Sequence, residues 1–313
     1  MVCLIRARGS IRFLTIARLL SLASMLVLIL LSFVGGLVSG LGQGFDLGIE
    51  WPSEPVRLLR ALLQGSLEAL HRILTVLAAP LVLAMAIASY RLGLVFYISL
   101  AGVALLIVTS ITGRMILLTL GGYIGQPIAP MVYSFNNLFA TLAIGSASLV
   151  YRMLASGMIS MAYGEKRIPM ILHRGAAGWG IIASFIGAYM LGYTKTTQNP
   201  LPRDIFSLSI SSPIDLIVKL HIVSGALAVI LTIIATIARR SRDPWSLTAL
   251  IASIAQPAAG LILLSRVSTD PWSPGVFLAI HLILAQLIVI GNGVPYMAYL
   301  LGRRIVSGAY EHR

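Results

Sequence analysis

Residues 94–120 read LVFYISLAGVALLIVTSITGRMILLTL. A helix rises about 1.5 Å per residue, so this stretch is long enough to cross the roughly 30 Å hydrocarbon core of a bilayer. Seven other segments meet the requirement of about 20 mostly apolar residues: 17–39, 67–89, 131–153, 174–193, 214–237, 245–264 and 275–300. The sequence therefore predicts an all-α integral membrane protein with eight transmembrane helices. Composition agrees, with 58% hydrophobic and only 11% charged residues in 313, against about 25% charged in a soluble domain. The first span follows a basic stretch (Arg6, Arg8, Arg12, Arg18), as a signal peptide would. Its apolar run is too long for an h-region and no small-x-small cleavage site follows, so it is read as a retained helix.

The chain has 23 Lys+Arg and 10 Asp+Glu, a formal charge of +13. In a soluble protein that excess would point to nucleic acid. Here the cations lie between apolar runs and report topology, so no nucleic-acid partner is expected. One set of alternating loops holds Arg6, Arg8, Arg12, Arg18, Arg91, Arg152, Lys166, Arg167, Arg174, Arg239, Arg240, Arg242, Arg303, Arg304 and Arg313. The other holds Arg57, Arg60, Lys195, Arg203 and Arg266. The positive-inside rule then predicts a multi-pass cell-membrane protein with both termini cytoplasmic and residues 40–66 outside. Within that loop, PVRLLRALLQGS (55–66) sets Val56, Leu59 and Leu63 at helical spacing, as in a short amphipathic helix on the lipid surface. Cys3 is the only cysteine, which excludes an intramolecular disulfide and a cysteine metal site.

The halves of the chain can be laid over each other, as in many membrane proteins. FVGGLVS (33–39) at the end of the first span resembles FIGAYML (185–191) at the end of the fifth, and a long loop follows each. The second span then opens Leu67-Glu68-Ala69-Leu70-His71, while the sixth carries Ile217-Val218-Lys219-Leu220-His221 in its first turns. Four spans return the chain to its starting side, so the duplication is parallel. The expected organisation is two four-helix repeats, 1–153 and 174–313, joined by a cytoplasmic linker, 154–173.

Of five histidines, His312 lies in the tail and His173 beside Arg174 at a helix start, where an interfacial role is expected. His221 follows Pro213 by eight residues and His281 follows Pro274 by seven, which puts both imidazoles about 10–12 Å below their helix starts. Ionisable groups inside spans are costly and usually functional. Two neutral histidines at one depth can offer Nε2 to both faces of a haem iron. The plainer alternative is that each bonds a carbonyl across the bundle. Small neighbours (Ser224, Gly225, Ala226 and Ala228; Ala279 and Ala285) would let a flat macrocycle approach. Seven residues after Pro130, where a histidine matching His281 is expected, stands Asn137, with Asn136 beside it. Asparagine is a poor iron ligand, so His71 is the one axial imidazole the first half offers from these positions. Glu68 and His71, at i and i+3, share a helix face. The carboxylate could orient the ring or move protons; the alternative is an i,i+4 ion pair between Glu68 and Arg72.

Taken together, these features resemble the haem A synthase family, cytochrome oxidase assembly proteins that convert haem O to haem A. The resemblance rests on Gly35-Gly36-Leu37-Val38, then Gly42-Gln43-Gly44, Trp51-Pro52 and Glu68-x-x-His71-Arg72, and on a histidine early in span six and another in span eight. It covers essentially the whole chain. It implies haem b between His221 and His281, and a substrate haem O in the N-terminal half with His71 as a possible iron ligand and Glu68, His71 and Arg72 as catalytic residues. It also implies oxidation of a haem methyl to a formyl group, electron exchange with a quinone or similar membrane carrier, and haem O synthase or cytochrome oxidase subunits as partners. The chain departs from the family pattern at Asn136/Asn137, at Ile222 (usually arginine), and in lacking a cysteine pair in the first external loop. A non-enzymatic cytochrome b that passes electrons between quinone and a partner is the alternative, and a transporter is a third. Transporters place their polar groups near the midplane, whereas these histidines cluster near one surface.

Overall fold

The computed structural model describes residues 10–51, 53–156, 166–202, 204–205, 207, 209–239 and 243–310. Cys3, Arg6, Arg8, Pro52, Arg203, Arg240, Arg242, His312, Arg313 and linker residues 157–165 lie outside them. Among the described residues the chain is all-α, with nine helices. They are α1 (Ser10–Gly40), α2 (Pro55–Leu63), α3 (Leu67–Ala88), α4 (Leu94–Leu120), α5 (Ile128–Ser156), α6 (Arg167–Thr197), α7 (Pro213–Arg239), α8 (Pro244–Val267) and α9 (Phe277–Tyr310). All but α2 are long and apolar enough to cross a membrane. The protein is a multi-pass membrane protein.

Local chemistry explains where helices start. Ser66 caps α3 by accepting from Ala69 N, and Asp243 caps α8 by accepting from Ser246 N. Proline opens α2 and α8, where its missing N–H costs nothing. The expected spans correspond one to one with the long helices, and 94–120 coincides with α4. Of the expected linker 154–173, residues 154–156 continue α5 and residues 167–173 open α6. Pro169, Met170 and His173 are buried there, and their packing carries the helix beyond its apolar run.

Helices α1, α5, α6 and α9 form the centre of the bundle. Helix α3 packs on α1, and α4 on α5; on the other side α7 packs on α6, and α8 on α9. Contact between α7 and α9 is sparse, and α3 and α5 share still less. A polar chain crosses the central four: Ser32 Oγ donates to Gln286 Oε1 (2.9 Å), Gln286 Nε2 to Asn137 Oδ1 (3.3 Å), and Asn137 Nδ2 to the Ser184 carbonyl (3.2 Å). Outward faces carry exposed leucine and isoleucine along the long helices, including Leu19, Leu26, Leu30, Ile107, Ile230 and Ile254. Apolar patches of that extent are untenable in water and suit lipid. On α2, Val56, Leu59 and Leu63 are exposed while Leu58 packs inward on Leu47 and Ala69.

Candidate functional site

His221 of α7 and His281 of α9 meet across the sparse contact between their helices, ring centroids 6.1 Å apart and planes inclined at 58°. A neighbouring backbone seats each ring. The His221 Cε1 edge lies against Gly187 of α6, where an added Cβ would stand 2.9 Å away. The His281 edge lies against Gly260 of α8, at 3.0 Å from such a Cβ. Carbon atoms in contact prefer about 3.5–4.0 Å, so a Cβ at either glycine would push the ring from its place. His221 Nδ1 lies 2.9 Å from the Ala183 carbonyl, one turn before Gly187. His281 Nδ1 faces the Gln256 carbonyl, one turn before Gly260, without reaching full hydrogen-bond geometry.

The plainer expectation, a carbonyl partner for each histidine, is met at Nδ1 of His221, while His281 Nδ1 faces its carbonyl without a hydrogen bond. A proton held on Nδ1 leaves the Nε2 lone pair free, the arrangement by which metal-binding histidines are oriented. Gln256 is a residue the sequence reading missed. Its amide lies 3.4 Å from His281 Nε2, while its Oε1 is buried without a partner. On α7, one turn beyond His221, Gly225 faces open space. Two of the other small residues pack helices. Ala279 packs against Gly36 of α1, and Ala228 lies near Gly180 of α6, so both serve helix packing.

His71 of α3 is seated in the same way. An added Cβ on Gly35 of α1 would stand 2.9 Å from its Cε1, and its Nδ1 faces the Leu31 carbonyl, one turn before Gly35, in loose geometry. Glu68 and Arg72 are nearly inaccessible, at 2% exposure each. Glu68 Oε1 pairs with Arg72, and its Oε2 accepts from Leu47 N (2.9 Å). Arg72 also donates to the Gly48 carbonyl (2.7 Å), Ser53 Oγ (2.9 Å) and the Glu50 carbonyl. The pair therefore straps the loop after α1 onto the start of α3. Among the described residues no hydrogen bond joins Glu68 to His71. At the start of α7, Asp215 and Lys219 (2.9 Å) do the same for the preceding loop, through Ser211 N (2.9 Å) and the Ser209 carbonyl.

The two asparagines separate. Asn137 belongs to the central polar chain. Asn136 Nδ2 donates to the Thr109 carbonyl (2.8 Å) and to Thr112 Oγ1 (3.0 Å), with Gly113 of α4 beside it.

Two further polar centres were not foreseen. Lys195, buried at the end of α6, donates to the carbonyls of Ser39 (2.7 Å) and Trp272 and lies 4.9 Å over the Trp272 ring. At the opposite end of the bundle His173, expected at an interface, is fully buried. Its Nδ1 lies 2.7 Å from Asn292 Oδ1 and its Nε2 3.4 Å from Ser246 Oγ; Asn292 Nδ2 continues to Thr232 Oγ1 (2.9 Å). Ser246 leads on to Asp243, which pairs with Arg239 and Arg152, each at 3.0 Å. The shared carboxylate ties α5 and α7 to the start of α8, where a lone buried charge would be strongly unfavourable. Neither a protein-family model nor a curated protein matches the chain.

Proposed function

We propose that the chain is a haem-binding membrane oxidoreductase of the haem A synthase type, with haem b held between His221 and His281. The facing pair of imidazoles carries this reading. Two metal–nitrogen bonds of about 2 Å and two half-rings of about 1.1 Å separate ring centroids by ~6.2 Å in a bis-imidazole site, and the observed spacing is 6.1 Å. The Nδ1-bonded His221, the glycine seats and the open space at Gly225 fit such a group. Gln256, whose amide stands 3.4 Å from His281 Nε2 and whose Oε1 has no partner, would have to swing aside to admit it. Bound haem would supply one-electron chemistry. The protein's part is to hold both rings in the right tautomer and keep water out.

The glycine seats also support a parallel duplication. Gly35, His71, Gly113 and Asn136 correspond to Gly187, His221, Gly260 and His281 at intervals of 152, 150, 147 and 145 residues. The packing between halves follows the same intervals: Gly40 meets Gly275 and Leu278, and Gly192 meets Pro130 and Tyr133. The N-terminal half is then the second haem site, with His71 its ligand and haem O its substrate. Turning the methyl into a formyl group (R–CH3 + H2O → R–CHO + 4 H+ + 4 e−) would release four electrons, which a haem held by His221 and His281 would allow to pass to a membrane quinone. Glu68 and Arg72 close the loop over the His71 end. Both termini lie in the cytoplasm, on the basic side.

A non-enzymatic cytochrome b is the second reading, and one observation favours it: Glu68 is consumed by Arg72 and Leu47 N–H, leaving no oxygen turned to His71. Expression in cells that supply haem O, followed by extraction of bound haems, decides between them. Haem A or its alcohol precursor in wild type, lost in His71→Ala, supports the synthase. Haem b alone, indifferent to His71→Ala, supports the cytochrome.

A further inference from the structure

Four polar side chains in this bundle occupy one recurring seat. Each lies against a glycine of the neighbouring helix and turns a nitrogen toward the carbonyl four residues before that glycine. The sets are His71 with Gly35 and Leu31, His221 with Gly187 and Ala183, His281 with Gly260 and Gln256, and Asn136 with Gly113 and Thr109. In the fourth the asparagine amide takes the carbonyl that an imidazole Nδ1 would take, at 2.8 Å. Its second amide hydrogen goes to Thr112 Oγ1, so the group is oriented. An amide ends one row of atoms short of an imidazole: it has nothing at the place of Cε1 and Nε2. What remains is a carbonyl oxygen, a donor suited to hard cations rather than to haem iron, which prefers imidazole.

We propose that Asn136 stands at an emptied axial-ligand position, so that a haem held by His71 keeps one face open to a small exogenous ligand of the dioxygen or carbon monoxide class. This rests on the haem reading above and goes further, because it separates the two halves by coordination. The C-terminal site, with two imidazoles, is closed and suits electron transfer. The N-terminal site, with one, resembles the proximal-histidine arrangement in which ligand binding at the distal face becomes possible. Asn136, at 3.5 Å from a Cβ placed on Gly113, carries no atoms beyond its amide that could reach an iron. One residue thus sets the difference between a site that passes electrons and a site that admits a reactant.

The test is a reciprocal swap in full-length protein in nanodiscs, loaded with added haem b, reduced, and titrated with carbon monoxide. Wild type is expected to take up two haems and bind about one carbon monoxide per protein, at the His71-dependent haem. Asn136→His should keep the haem content, convert that haem to a six-coordinate low-spin spectrum and weaken carbon monoxide binding at least about tenfold. His281→Asn should do the reverse, retaining haem in the C-terminal half and opening it to carbon monoxide. His281→Asn also guards against a misfolded Asn136→His, since either swap reads the same rule. Two haems in wild type that both refuse carbon monoxide would overturn the proposal. So would Asn136→His with unchanged binding, or loss of the C-terminal haem in His281→Asn. Uptake of the C-terminal haem alone overturns the open site while leaving the bis-imidazole site standing; no haem at all removes both.

Discussion

Replacing Gly187 by alanine isolates the contact on which the His221 seat depends. The new Cβ would stand 2.9 Å from His221 Cε1 and 3.3 Å from Nδ1. Ordinary carbon contact begins near 3.5 Å, so the ring must retreat by about 0.6 Å or tilt. A metal–imidazole bond of about 2 Å does not stretch by that much, and the Nδ1 bond to Ala183 (2.9 Å) runs along the same side. Overpacking of this kind costs about 1–3 kcal/mol, which is roughly a 5- to 150-fold loss of haem affinity. The assay is haem titration of purified protein in nanodiscs, with far-ultraviolet circular dichroism to verify that the helices persist. Gly178→Ala is the control: it lies on the same helix, and an added Cβ there meets nothing within 4 Å. If Gly187→Ala and Gly178→Ala bind haem alike, the glycine seat does not position the ligand and the reasoning fails.

Three other substitutions test the polar centres. Arg72→Met strands a buried carboxylate and frees the Gly48 and Glu50 carbonyls, costing about 3–5 kcal/mol. Hydrogen exchange across 47–53 should rise while the His221/His281 spectrum is unchanged, and unaltered exchange would refute the strap. Asn292→Leu breaks the link from His173 to Thr232 and should cost about 1–2 kcal/mol, read as a lower thermal midpoint in detergent; an unmoved midpoint would refute it. Lys195→Met removes two charge-assisted bonds and the Trp272 contact, worth about 1–3 kcal/mol. It should speed proteolysis of the 268–276 segment, and an unchanged rate would show that the lysine does not tie that segment to α1 and α6.

The long helices were legible in the sequence because lipid imposes a simple demand: about 20 apolar residues with all backbone groups satisfied internally. The pairing of His221 with His281 was legible through their like offsets from Pro213 and Pro274, although only Pro213 opens its helix and α9 starts at Phe277. The seats were not. FVGG and FIGA stood out as a repeat, but nothing in one dimension shows that Gly35 and Gly187 meet imidazoles, or that Gly260 belongs with them. His173 was misjudged because a basic neighbour, Arg174, marked it as interfacial. Its burial follows from Asn292, 119 residues away, and from Asp243 beyond it. The two asparagines were likewise inseparable in sequence: one residue along a helix turns a side chain by about 100°, enough to send Asn137 into the central chain and Asn136 onto the Thr109 carbonyl.

Electron paramagnetic resonance of the oxidised protein, as purified, tests the central claim most directly. Haem between His221 and His281 predicts a low-spin signal with two nitrogen axial ligands, abolished by His221→Ala and by His281→Ala singly, with the fold intact in both. A wild-type protein without that signal, or one whose signal survives both substitutions, would contradict it.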